Sequence, residues 1–159
     1  MKTQPVISLF ETICSELLPI RSLSGYRLLA ISFLCDWKHA IEYERPITSC
    51  KWSILKNNVS SEDAERELLE WDKIERPASG IKENIIARSS MRWRFLQFST
   101  ETEVCRHVIS AIGHMSDFNI ERIVISTYPY KIRGDLNLSQ LAIEYRNLYG
   151  KEYIKRASA

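Results

Sequence analysis

Glycine and proline are scarce, five of each in 159 residues, and no glycine sits in a G-x-G-x-x-G turn or a phosphate-binding P-loop. That argues against the common frameworks for cradling a nucleotide. Cys14, Cys35, Cys50 and Cys105 never fall in a C-x-x-C pair, so free buried thiols are expected in place of a disulfide framework or a zinc knuckle. No apolar run is long enough for a membrane span, and polar residues interrupt the first nine positions before a secretory core could form. A cytoplasmic location without membrane association is the expectation. Long Pro, Gly, Ser or single-charge tracts are missing, as are internal repeats, which leaves little room for extended disorder or a solenoid. Charge of one sign is also in short supply. The formal net charge of +2 is too small to mark a nucleic-acid or membrane-surface protein by itself.

The chain does have the means to fold alone. Hydrophobic residues at 45% and charged residues at 26% match an ordinary globular domain, and this length buries a core without disulfides or metal. The expectation is one domain over residues 1–153, with 154–159 as a flexible tail. Apolar residues at helical spacing predict a helix over 5–18, stopped by Pro19, and a longer one from Tyr26 to about Tyr43. In the latter, Leu28, Leu29, Ile31, Phe33, Leu34, Trp37, Ala40 and Ile41 cover more than one face, as in a central helix. Arg45-Pro46 forces an extended connection. Residues 47–55 read as a short helix or an extended segment, and Asn57-Asn58 as a turn. Ser60 with Asp63 resembles a capping box opening an acidic helix to about Trp71. Beyond the Arg76–Gly80 break, 81–88 and 92–98 read as a hairpin across Ser89-Ser90, followed by helices over about 99–113, 117–126 and 138–149. The expected fold class is mainly α with a small β-hairpin (α+β): a compact helical domain whose hairpin would be like the wing of a winged helix.

Candidate chemistry is thin. Asp36 and His39, or Cys35 and His39, share a helix face, but two ligands do not make a metal site, and a polar network around Trp37 explains them better. Nothing in the sequence brings His39, His107 or His114 to a thiol. Neither an enzyme nor a cofactor or metal site is therefore expected. Two surfaces remain. The hairpin mixes Arg92 and Arg94 with Trp93 and Phe95, which would suit a nucleic acid, although alternation makes an ordinary apolar-in, polar-out strand the favoured reading. The acidic helix, with Glu62, Asp63 and Glu67, is in the first instance a solvated face. Trp71 would anchor it to the core or give a partner an aromatic hot spot ringed by carboxylates. Arg45 and Trp52 in the preceding connection complete the set of candidate partner contacts.

The segment from Leu34 to Thr48, L-C-D-W-K-H-A-I-E-Y-E-R-P-I-T, resembles the signature of the Panacea domain family, the SocA-like antitoxins. Ser126-Thr127-Tyr128-Pro129, then Leu136-Asn137-Leu138 and Leu141-Ala142-Ile143-Glu144-Tyr145, resemble the segment that closes the domain in one branch of that family. The resemblance spans roughly residues 24 to 149. It implies scaffold roles for Asp36, Trp37, His39, Pro46, Thr48, Ser126, Thr127, Tyr128 and Pro129. It also implies an antitoxin from a small operon, often of a phage or mobile element, that neutralises a toxin by direct contact. A phage protein that binds a host defence factor is the alternative, and a nucleic-acid-binding regulator using the hairpin is the other. The family commonly has glycine where this chain has Glu44 and Ser49, and a G-P pair where it has Asn57-Asn58. If those glycines are left-handed, replacing them costs about 1 kcal/mol each, so a rebuilt backbone and an altered contact surface over 44–60 are expected.

Overall fold

The structure is a computed structural model that describes residues 5–19, 22–56, 58–71, 74–75, 86–87 and 99–158. Helix α1 (Pro5–Leu17) begins on the proline that suits a first helical position. It buries Val6, Leu9, Phe10, Ile13, Cys14 and Leu17, the stripe that the apolar spacing predicts. Helix α2 (Gly25–Tyr43) starts at Ser24, whose hydroxyl accepts from the Arg27 amide at 3.0 Å. It is buried on nearly every side, as its broad apolar face foretold, because α1, α4 (Ser99–Ile112), α5 (Asp117–Ser126) and α7 (Leu138–Ser158) all pack on it. Helices α3 (Glu62–Glu70) and α6 (Tyr128–Ile132) are shorter. The mainly helical fold with a small antiparallel sheet is thus as expected from the sequence.

The sheet, however, is not where the sequence suggested. Strands β1 (Ser53–Leu55) and β2 (Asn58–Ser60) form the hairpin, with Ile54 opposite Val59 and both buried. The ambiguous 47–55 stretch therefore supplies a strand, closed by a turn in which Lys56 has φ 56°. Strand β5 (Gly134–Asp135) lies along the other edge of β1, giving the order β2-β1-β5. A second pair joins β3 (Ile74–Glu75) to β4 (Ile86–Ala87), so part of the expected 81–88 strand pairs backwards in the chain. Residues 92–98, the other half of the expected hairpin and the basis of the wing comparison, lie outside the described residues, as do Arg92 and Arg94.

Smaller differences have plain causes. The α3 cap is Ser61, accepting from the Ala64 amide at 3.3 Å, while Ser60 sits in β2 and its hydroxyl donates to Glu65. Helix α7 runs to Ser158, past residue 149 and through the stretch read as a tail. Glu44 adopts the left-handed geometry that favours glycine, φ 66° and ψ 5°, and its amide donates to the Ala40 carbonyl at 3.0 Å to end α2. Its carboxylate, in turn, meets Arg146 at 3.4 Å.

A buried cation that the sequence reading missed ties the bundle together. Arg27 is 4% exposed and donates to Asp117 at 2.7 Å and to the carbonyls of Gly113 and Met115, at 3.3 and 2.7 Å. These groups form the α4–α5 connection, so one guanidinium fixes where α5 leaves α4. Gly113 is required there because a Cβ would lie 2.8 Å from the Leu17 side chain and 2.6 Å from the Ile109 carbonyl.

Two stability outcomes are expected. Arg27→Met should cost about 3 kcal/mol in urea unfolding, because two carbonyls lose a charged donor, whereas Asp117→Asn should cost under about 1 kcal/mol since Arg27 keeps both carbonyls. Equal losses would place the energy in the ion pair alone. At Glu44, comparing Gly with Ala cancels the lost ion pair, and Glu44→Gly should be the more stable by about 1 kcal/mol, roughly 2–4 °C in melting temperature. A more stable Ala variant would mean that the left-handed geometry is not kept in solution.

Candidate functional site

The best-built polar cluster sits where α2 meets the loop that follows it. Asp36 is fully buried, and its carboxylate accepts three hydrogen bonds: from the Thr48 amide at 2.9 Å, the Thr48 hydroxyl at 2.5 Å and the Trp52 indole at 2.8 Å. One turn along, His39 shares a proton with the Arg45 carbonyl through Nδ1 at 2.6 Å. The short carbonyl contact requires the proton on Nδ1. The R-P-I-T segment is thereby stapled to α2 at both ends, and Pro46 between them removes an amide that would otherwise need a partner. Arg45 itself points outward and pairs with Glu101 in the first turn of α4 at 3.1 Å.

Burial pushes the Asp36 carboxyl up from 3.8 to about 6, even though the bonds from Thr48 and Trp52 pull the other way. Burial likewise raises the Cys50 thiol to about 11. At Glu101 burial acts upward too, but hydrogen bonds from the backbone, Thr100 and Arg45 together hold it below its ordinary value. All four cysteines are free, with Cys14, Cys35 and Cys105 buried, and desolvation keeps the Cys14 and Cys35 thiols protonated.

The residues of the closing segment assemble beside this cluster. The hydroxyls of Ser126 and Thr127 each donate to a carbonyl one turn back, at 2.7 Å, and finish α5. Tyr128 donates to Glu144 at 3.3 Å, and Pro129 is buried at the start of α6. Tyr145 stacks between Tyr128 and Trp37, with ring centroids 5.9 and 5.7 Å away. Trp37 therefore packs on α7, and the polar network expected around it is centred on Asp36 instead.

Two of the candidate partner contacts need correction. Trp52 is 1% exposed, bonded to Asp36 and edge-on to Phe33, and Trp71 is 5% exposed against Phe10. Both are core residues whose rings have no free surface to offer a partner. Arg45 and Glu62 are exposed, whereas Asp63 and Glu67 are half-buried, Asp63 pairing with Arg66 at 3.2 Å. Leu68 anchors α3 as the solvated-face reading requires. Glu101 was not singled out in the sequence, and an acid at a helix start gives no hint of a distant arginine. Among the described residues, no group of three or more His, Cys, Asp or Glu side chains is placed to hold a metal ion, and no helix is long and apolar enough to cross a membrane.

The raised Asp36 value has a pH signature. A carboxyl that holds its proton more tightly when folded makes folding progressively less favourable as pH climbs from about 4 to about 6, with no further change above. The interval corresponds to on the order of 3 kcal/mol. The wild-type stability relative to Asp36→Asn, from urea titrations at pH 4.5 and pH 7, should therefore be smaller at pH 7. A difference independent of pH would show that Asp36 does not titrate in this range.

The chain matches no protein-family model, and no curated protein or solved structure matches it at a significant level.

Proposed function

We propose that this protein is an antitoxin-type binding module of the Panacea kind, which neutralises a toxin by direct protein contact. The observation that carries the reading is that the two segments bearing the family resemblance, far apart in the chain, meet on α2. Asp36 and His39 fasten the R-P-I-T loop, while Trp37 of the same helix receives Tyr145 of the closing segment. Motif residues that bond to one another form a scaffold, and a scaffold with a firmly held loop suits a binding module. On this reading Arg45 and Glu62 are surface contacts, Asp63 and Glu67 border them, and the acidic face of α3 steers a basic partner by charge.

Co-expression with the product of the adjacent gene tests it. The neighbour alone should arrest growth, the pair should grow, and the two proteins should copurify. A harmless neighbour, or one that stays lethal beside this protein, would end the antitoxin reading.

A further inference from the structure

Beside the Asp36 cluster an open groove of about 770 Å³ runs between the first turns of α3 and α7, bordered by Pro46, Thr48, Leu55, Glu62, Asp135 and Asn137. Residues of both family-like segments thus line one cavity. Its floor is the outer face of the sheet. Strand alternation sends Ile54 and Val59 into the core, and Ser53, Leu55 and Ser60 toward the groove, where Leu55 is 60% exposed. The sheet ends at β5, exposed at both residues and paired on one side only, so its outer edge can still take main-chain hydrogen bonds.

We infer that this groove takes an extended segment of a partner protein in which lysine or arginine side chains flank an apolar one. The inference rests on the protein-binding reading above and adds the chemistry of what is bound. Three carboxylates, Glu62, Asp63 and Asp135, face the groove against one base, Lys51. Asp63 is partly engaged by Arg66 and by the Lys51 amide at 3.4 Å, but Glu62 and Asp135 form no ion pair among the described residues. Glu62 belongs to α3 and Asp135 to β5, and the exposed Leu55 lines the same groove. Two helix starts also open here and would otherwise favour an anion. Each is already capped, Ser61 accepting from the Ala64 amide and Asn137 from the Gln140 amide at 3.1 Å, and α3 carries Glu62, Asp63 and Glu65 in its first turn. One exposed leucine among serines, acidic side chains along the border and an open sheet edge together select an extended, basic chain that can add to the sheet.

The test uses the full chain and two fluorescein-labelled hexapeptides, one alternating lysine with leucine and the other glutamate with leucine, followed by anisotropy. The lysine peptide should bind about ten-fold tighter than the glutamate peptide and weaken as salt rises. Glu62→Lys combined with Asp135→Lys should remove that preference, Leu55→Ser should weaken binding several-fold, and Glu103→Lys, exposed on α4, should change nothing. Equal binding of the two peptides, preference for the glutamate peptide, or the same loss from Glu103→Lys would overturn the inference. Co-expression separates it from the antitoxin reading. If the Glu62→Lys/Asp135→Lys pair still neutralises the neighbour, the groove assignment fails and the antitoxin reading stands. If the wild type never neutralises but selects the lysine peptide, the reverse holds.

Discussion

A single carboxylate, that of Asp36, ties the loop after α2 and the start of the β2-β1-β5 sheet to the helices. Taking an ion out of water costs several kcal/mol, and burial is what raises this group to about 6. What makes the arrangement tolerable is that three donors converge on it, one from the Thr48 backbone and two from side chains. The Trp52 indole is the decisive one, because it carries the constraint into the sheet. Trp52 precedes β1 and its carbonyl accepts from the Leu136 amide at 2.9 Å, which sets β5 and hence the entry to α7. A chain of bonds thus runs from the middle of α2 through the loop to the last helix.

The helices were legible because burial leaves a period in the sequence. Alpha-helical spacing of large apolar residues placed α1 and α2 to within a residue or so, and Ser116 with Asp117 marks the start of α5 in the usual way. What was not legible depends on contacts between residues distant in sequence. A three-residue strand such as β1 carries too little periodicity to be told from coil, and only β2 and β5 on either side make it a strand. Trp52 illustrates the same limit at the candidate site. A tryptophan beside a proline-bearing loop looks like a surface anchor until Asp36 is seen to need its indole proton. Arg27 had one signal available, a charged residue inside an otherwise apolar helical run, but its carbonyl partners at Gly113 and Met115 leave no trace in sequence.

Core and display are separated along α2. Its first half is pinned by Arg27 to the α4–α5 turn, and in its second half Asp36 and His39 engage the loop while Trp37 engages α7. Two anchors for the loop and one for α7 on a single turn of helix explain why the D-W-x-H spacing is compact. Residue 36 faces the loop, residue 37 faces α7, and residue 39 returns to the loop face one turn later, as a period of 3.6 dictates. Substitutions there act on the loop through bonds, whereas α3 meets the connection through the long bond from the Lys51 amide to Asp63, at 3.4 Å.

Backbone strain follows the same division. The non-glycine residues with positive φ among those described are Glu44, Lys56 and Arg133, and none lies inside a helix. Glu44 ends α2, Lys56 turns the β1–β2 hairpin, and Arg133, at φ 58° and ψ 167°, occupies a region almost reserved for glycine just before β5. Each such residue costs on the order of 1–3 kcal/mol and persists only where tertiary bonds over-determine it. At Glu44 the helix-ending amide bond and Arg146 supply the compensation, and at Arg133 the guanidinium rests 5.2 Å over the Tyr130 ring. The loop and sheet side is therefore held in place by contacts, against local backbone preference, while the helical core agrees with its own sequence. Local opening should begin on the strained side, which is also the side where the groove lies.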